Sequence, residues 1–208
     1  MAEQFFSAVI MAAGISRRMG VPKLSLPFDE SRSFVQRCVQ VFADFPCREI
    51  SVVVNDDGMK WLSENDPGWP ANVHVVLNQH PEKGRFFSLQ KGLEAIRELC
   101  PVFVHNVDNP FINTALLQQL ASVIHKASFI RPVCGDKRGH PALISKKAAT
   151  DILHESNPVH HVRLYLEKYP QQLVTVTDPN TLVNINTPAE YHQHFKGLSI
   201  YLFTDTGS

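Results

Sequence analysis

Two glycines, two arginines and a lysine fall within one short segment, Ala12-Ala13-Gly14-Ile15-Ser16-Arg17-Arg18-Met19-Gly20-Val21-Pro22-Lys23. Such a loop suits a phosphate, because glycine lets a ligand approach the backbone while loop N–H groups and cations hold its charge. Asp108, in Asn106-Val107-Asp108-Asn109-Pro110-Phe111, closes an apolar run and so stands where open α/β sheets bind ligands. A carboxylate there could hold Mg²⁺, which takes one or two protein carboxylates beside phosphate oxygens. It could equally cap the helix that follows. Asn184-Ile185-Asn186-Thr187-Pro188 precedes a proline-led helix, where the amides would serve a site or open an Asx turn.

Two familiar phosphate loops are excluded by counting. A P-loop has four residues between its glycines and a lysine directly after the second; here five intervene and Lys23 comes three residues after Gly20. The dinucleotide fingerprint needs a middle glycine that this loop lacks. Two softer segments remain. Lys83-Gly84-Arg85-Phe86-Phe87-Ser88-Leu89 follows Asn78 and places Ser88 near a helix start, where it could be an N-cap. Gly139-His140-Pro141 carries a loop histidine that could meet a ligand or simply face water. His160 and His161 are adjacent but have no further metal ligand at suitable spacing, which reads as surface.

The first loop, A-A-G-x-S-x-R-M-G-x-x-K, resembles the signature of the molybdenum-cofactor (MobA-like) nucleotidyltransferases. More distantly it is similar to the sugar-1-phosphate and polyol-phosphate nucleotidyltransferases. The resemblance spans residues 5–195, with its elements in family order. It implies that the backbone of Ala12, Ala13 and Gly14 meets the base, with Ser16 in the same loop, and that Arg18 and Lys23 hold the triphosphate. Arg17 falls at a variable position. Asp108 matches the metal-binding Asp of D-x-P-F, and Asn184 and Asn186 match the element that approaches metal and acceptor. Both acidic positions of that element are amides here, so Asn186 would help Mg²⁺ through its carbonyl or through water. Asn78, Gly84 and Ser88 match the turn at base and ribose, although Phe87 replaces one serine of that turn. His140 matches the acceptor element.

The implied reaction moves an NMP unit from CTP or GTP to a small phosphorylated acceptor, molybdopterin or a sugar or polyol phosphate, with release of pyrophosphate. Catalytic roles would fall to Lys23, Arg18 and Asp108. Ala13 leans towards CTP and the asparagine pair towards GTP. A non-catalytic nucleotide-binding homologue, acting as an assembly factor with a molybdoenzyme or chaperone partner, is the contrasting expectation.

Positioning these residues requires strands that end where the loops begin. Short apolar runs alternate with helical patterns, which predicts a layered α/β fold with a mostly parallel sheet. Strands are expected at residues 5–12, 50–54, 73–77, 102–107, 129–133, 142–144, 173–177 and 182–185. Helical spacing predicts helices at 33–45, 87–99, 114–125, 146–154, 161–169 and 188–195. After Gly197 either an edge strand or a poorly ordered end would fit. The resemblance implies a single-domain, Rossmann-like three-layer sandwich of the nucleotide-diphospho-sugar transferase type over 1–197, with 198–208 as a C-terminal tail.

The 208 residues, 44% hydrophobic and 19% charged, suffice for one domain with a large core. Twenty basic and twenty acidic side chains cancel, so no global field gathers nucleic acid or an anionic membrane. The four cysteines are dispersed with no C-x-x-C pair, which reads as reduced thiols. The apolar stretch 5–15 is too short to span a bilayer, and its arginines follow it where a secretory signal has them in front. A cytoplasmic location is the expectation.

Overall fold

The computed structural model describes residues 4–157 and 161–204. Four parallel strands, β3 (Val73–Leu77), β2 (Cys47–Val54), β1 (Phe6–Met11) and β4 (Val102–Asn106), form one half of the sheet in that spatial order. Beyond β4, the antiparallel β7 (Ala142–Ile144) joins β5 (Phe129–Cys134), which carries the two-residue β6 (Lys137–Arg138) and, in parallel, β8 (Gln171–Thr175).

Strand periodicity makes the layers. On β1, Phe6, Ala8 and Ile10 face one hydrophobic cluster while Val9 faces the other; on β2, Ile50, Val52 and Val54 oppose Val53. The first cluster is covered by α1 (Phe34–Ala43), α2 (Asp56–Glu64), α4 (Thr114–Ala121) and α7 (Pro188–His194) through residues such as Phe42, Trp61, Leu117 and Tyr191. The second is covered by α3 (Gly84–Glu94), α5 (Lys146–Leu153) and α6 (Val162–Leu166) through Leu89, Ile152 and Leu166. The expected three-layer α/β sandwich is therefore present. On α3, a Cβ at Gly92 would stand 2.9 Å from Val53 Cγ2, so the missing side chain lets the helix lie close on the sheet.

The largest departures from expectation fall at four places, beside shifted ends such as those of α4 and β8. Residues 182–185 form no strand: a 3₁₀ turn (Pro179–Leu182) runs into extended chain, and Ile185 N–H donates to Asp108 O at 2.8 Å instead of entering a ladder. Helix α3 begins at Gly84 and stops at Glu94, because the Glu49 carboxylate accepts the Arg97 and Glu98 N–H groups at 3.0 and 3.3 Å and turns the chain aside. Helix α2 was not expected; Asn55 caps it and its acidic first turn suits the helix dipole. Residues 198–204 make turns, bury Ile200, and supply the Phe203 carbonyl to Trp61 Nε1 at 2.8 Å. All four cysteines are free. Among the described residues no helix is long and apolar enough to cross a membrane.

Candidate active site

The sheet order 3-2-1-4 makes β1 the strand at which the chain reverses direction across the sheet, and ligands in open α/β sheets bind outside strand ends at such a point. Met11 and Asn106 end β1 and β4 in register, so the loops 12–23 and 107–113 leave side by side. Val107 N–H donates to Met11 O at 3.2 Å and ties them. The Ile185-to-Asp108 backbone bond brings in the third segment. Three stretches remote in sequence thus meet at the carboxyl end of the central strands β1 and β4.

Their side chains meet there too. Lys23 Nζ donates to Asp108 Oδ2 at 3.1 Å and to Asn186 Oδ1 at 2.7 Å. Asp108 is 7% exposed, and its second oxygen, Oδ1, is buried with no hydrogen-bond partner among the described residues. Asn184 Oδ1 is likewise buried and unpartnered. A buried carboxylate oxygen left free is costly, so a site that retains one is set up for a ligand. Asn113 caps α4, which leaves Asp108 free of the capping role. Asn186 makes no Asx turn: its Nδ2 donates to Asn184 O at 3.2 Å.

One cavity of about 260 Å³ is lined by Ala12, Ala13, Gly14, Arg18, Lys23, Gly84, Ser88, Asp108 and Asn186. The remaining expected residues sit around it. Ser16 closes the loop, its Oγ accepting from Lys23 N–H at 3.1 Å. Asn78 is buried and reaches the cavity only through Ser88, donating to its Oγ at 3.0 Å. Ser88 lies inside α3 and is not its N-cap. A Cβ on Gly14 would meet nothing within 4 Å, and Gly14 is not in the left-handed region. Neither packing nor backbone strain requires glycine there, so the room it leaves serves whatever enters the cavity. Arg17 and Arg18 part company: Arg18 lines this cavity, whereas Arg17 lines another, on the α2 side of the loop.

His140 lines a neighbouring cavity with Asn106, whose Nδ2 lies 3.3 Å from His140 Nε2. Burial pushes its pKa down to about 4, with Asp108 opposing and Arg131 and Arg85 adding to the depression, so the ring is neutral at pH 7. His161 is exposed, and His160 lies outside the described residues.

Two supporting residues were not anticipated. Glu190 accepts from Asn186 N–H at 2.7 Å and Thr187 N–H at 2.9 Å, and Thr187 returns a cap to Glu190 N–H. These bonds, and the nearby Arg18, hold its carboxyl below the usual range. The spacing Thr187-x-x-Glu190 is a capping-box signal that was legible in advance. Arg85 lines both cavities. Among the described residues no group of three His, Cys, Asp or Glu could hold a metal unaided.

A family model described as the MobA-like NTP transferase domain matches residues 8–173. The chain is 24% identical over 184 residues to the molybdenum cofactor cytidylyltransferase of Escherichia coli (strain K12), covering 88% of this chain and 92% of that protein. Among solved structures it is similar to Rv0371c of Mycobacterium tuberculosis H37Rv, with TM-score 0.74, 18% identity and coverage of 94% and 100%. That protein is also known as a manganese complex, TM-score 0.69, 16% identity, coverage 94% and 100%. The 4-diphosphocytidyl-2C-methyl-D-erythritol synthase of Anaerococcus prevotii DSM 20548 has TM-score 0.68 and 17% identity, with coverage of 90% and 94%.

Proposed function

This chain belongs to the MobA-like NTP transferase family, and from that premise we propose that it transfers CMP from CTP to the phosphate of molybdopterin with the aid of Mg²⁺. The convergence of Lys23, Asp108 and Asn186 within 3.1 Å carries this reading, because it joins the cationic loop to the carboxylate and the amide pair. An acceptor phosphate oxygen forms the new bond to the α-phosphorus as the α–β bridging bond breaks and pyrophosphate leaves. Such displacements need positioning and charge neutralisation more than covalent chemistry. The phosphate monoester is already ionised at neutral pH, so no general base is required.

The residues present fit a hard divalent ion. Asp108 Oδ1 and Asn184 Oδ1 are buried oxygens without partners, and the Lys23 ammonium already rests on Asp108 Oδ2 and Asn186 Oδ1 as a cation would. One carboxylate with amide oxygens suits Mg²⁺, which keeps waters and substrate oxygens as its other ligands. Bound there, the ion supplies positive charge that offsets the α-phosphate. A manganese complex of a structural relative supports a divalent ion. Lys23 and Arg18 then balance the charge that develops on pyrophosphate.

Ala13 and the name of the Escherichia coli relative support cytosine. Ala13 is 3% exposed and belongs to the same hydrophobic cluster as Val9, Val53 and Phe86, so it limits how far the loop can retreat from a base. We expect kcat/KM for CTP to exceed that for GTP by roughly tenfold or more, since steric discrimination of this kind is worth about 1–3 kcal/mol. Ala13→Gly should narrow the gap. Steady-state rates with both nucleotides and molybdopterin decide it; preference for GTP in the wild type would make the asparagine pair the better guide to the base.

A further inference from the structure

A second cavity, of about 320 Å³, adjoins the first and shares Met11, Arg85 and Asn106 with it. Its walls are of two kinds. Val104, Phe129, Ala142 and Leu166 line its apolar part, and three arginines, Arg85, Arg131 and Arg163, line it as well, with no acidic residue among the described residues of the lining. In a chain whose formal charge is zero, this is a local concentration of cation.

The arginines are poorly matched by the protein itself. Among the described residues, Arg163 pairs with Glu167 at 3.5 Å, while Arg85 and Arg131 form no ion pair. Arg131 rises from β5 over the Phe129 ring at 5.6 Å. Burial, then Arg138 and Arg163, press its pKa below the ordinary guanidinium value, against a weaker pull from Glu167. A half-buried cation facing like charges is unfavourable until an anion arrives.

The sharing of walls divides the arginines. Arg85 borders both cavities and is placed for the attacking phosphate; Arg131 and Arg163 border only the second. We propose that the second cavity takes the body of the acceptor and that the acceptor carries, beyond its attacking phosphate, another anionic group held by Arg131 and Arg163. The acceptor class is then a small molecule with a flat or apolar body and a second anionic group apart from its attacking phosphate. This rests on the transferase reading above.

The test compares phenyl phosphate with 4-carboxyphenyl phosphate, titrated calorimetrically into the full chain holding the α,β-methylene analogue of CTP and Mg²⁺. The two probes differ only in a second anion. Charge-assisted bonds from a guanidinium should make the carboxylated probe roughly tenfold or more tighter in the wild type. Arg131→Gln and Arg163→Gln should each erase most of that preference, Arg131→Lys should retain part of it, and affinity for the CTP analogue should stay unchanged, which also shows that the variants fold. Equal binding of the two probes by the wild type, or a preference untouched in both glutamine variants, overturns the proposal. Because the titration needs no turnover, its outcome is separable from the transferase reading: a preference that persists where no acceptor yields pyrophosphate removes the reaction and leaves the anion pocket standing.

Discussion

Asp108→Ala is expected to lower turnover at least about 10³-fold while the unfolding temperature moves by only a few degrees. The side chain sits at the end of β4, outside both hydrophobic clusters, so its removal opens no cavity in the core. What it removes is the carboxylate of the cavity that Lys23, Arg18 and Asn186 also line, the one such group there among the described residues. Without it, Lys23 keeps only Asn186 as a partner, and an arriving nucleotide finds no anionic anchor for its metal. Asp108→Asn separates charge from shape, since it preserves volume and one carbonyl oxygen. It should be nearly as inactive as the alanine variant. Steady-state kinetics with a parallel thermal melt check both, and turnover within tenfold of wild type in either would remove Asp108 from the mechanism.

Lys23→Ala and Arg18→Ala should each reduce kcat/KM by roughly 10²-fold, the scale expected when one preorganised charge-stabilising donor is lost. Lys23 has to leave Asp108 and Asn186, at least in part, to meet phosphate, so its loss should weaken both nucleotide binding and the chemical step. Arg18 lines the same cavity from the loop side. Arg17→Ala should stay within about threefold of wild type, because that side chain borders the cavity on the α2 side instead. Neighbouring arginines with unequal effects are the signature of this loop orientation. Equal effects at residues 17 and 18 would mean that the loop turns over when nucleotide binds.

The parts of the fold that were legible in the sequence are those where one physical signal dominates. Strands β1, β2 and β4 lie between two hydrophobic layers and so each carries an apolar run, Ala8–Met11, Val52–Val54 and Val102–Val104, and α1 and α4 carry helical spacing of large apolar residues. Local spacing failed where a distant group decides the outcome. Residues 182–185 look like a strand, yet the Ile185 N–H is taken by Asp108 O and the Val183 N–H by Asn180 O; the apolar pattern of α3 runs on to Leu99, yet Glu49 ends the helix from β2. Helix α2 gives only a weak sequence signal, because it is polar and contains Gly58, which is needed where Leu24 presses close. At the site, the residues of the long loop and Asp108 announced themselves by type and position. Arg131 did not, although an arginine inside the apolar run of β5 was a signal in plain view. Glu190 was also missed, since a cap box reads as helix chemistry until the structure shows that it holds Asn186.

The central claim is that Lys23, Asp108 and Asn186 form a working nucleotidyl-transfer centre, and pyrophosphate release tests it most directly. The wild-type chain, supplied with CTP, Mg²⁺ and molybdopterin, should release pyrophosphate in step with formation of the CMP-linked product. Omission of any one of the three should stop release, and GTP should support it more slowly. Tight binding of CTP with no pyrophosphate formed, under the same conditions and with sugar and polyol phosphates as well as molybdopterin, would contradict the account and leave the chain a nucleotide-binding homologue without transfer activity.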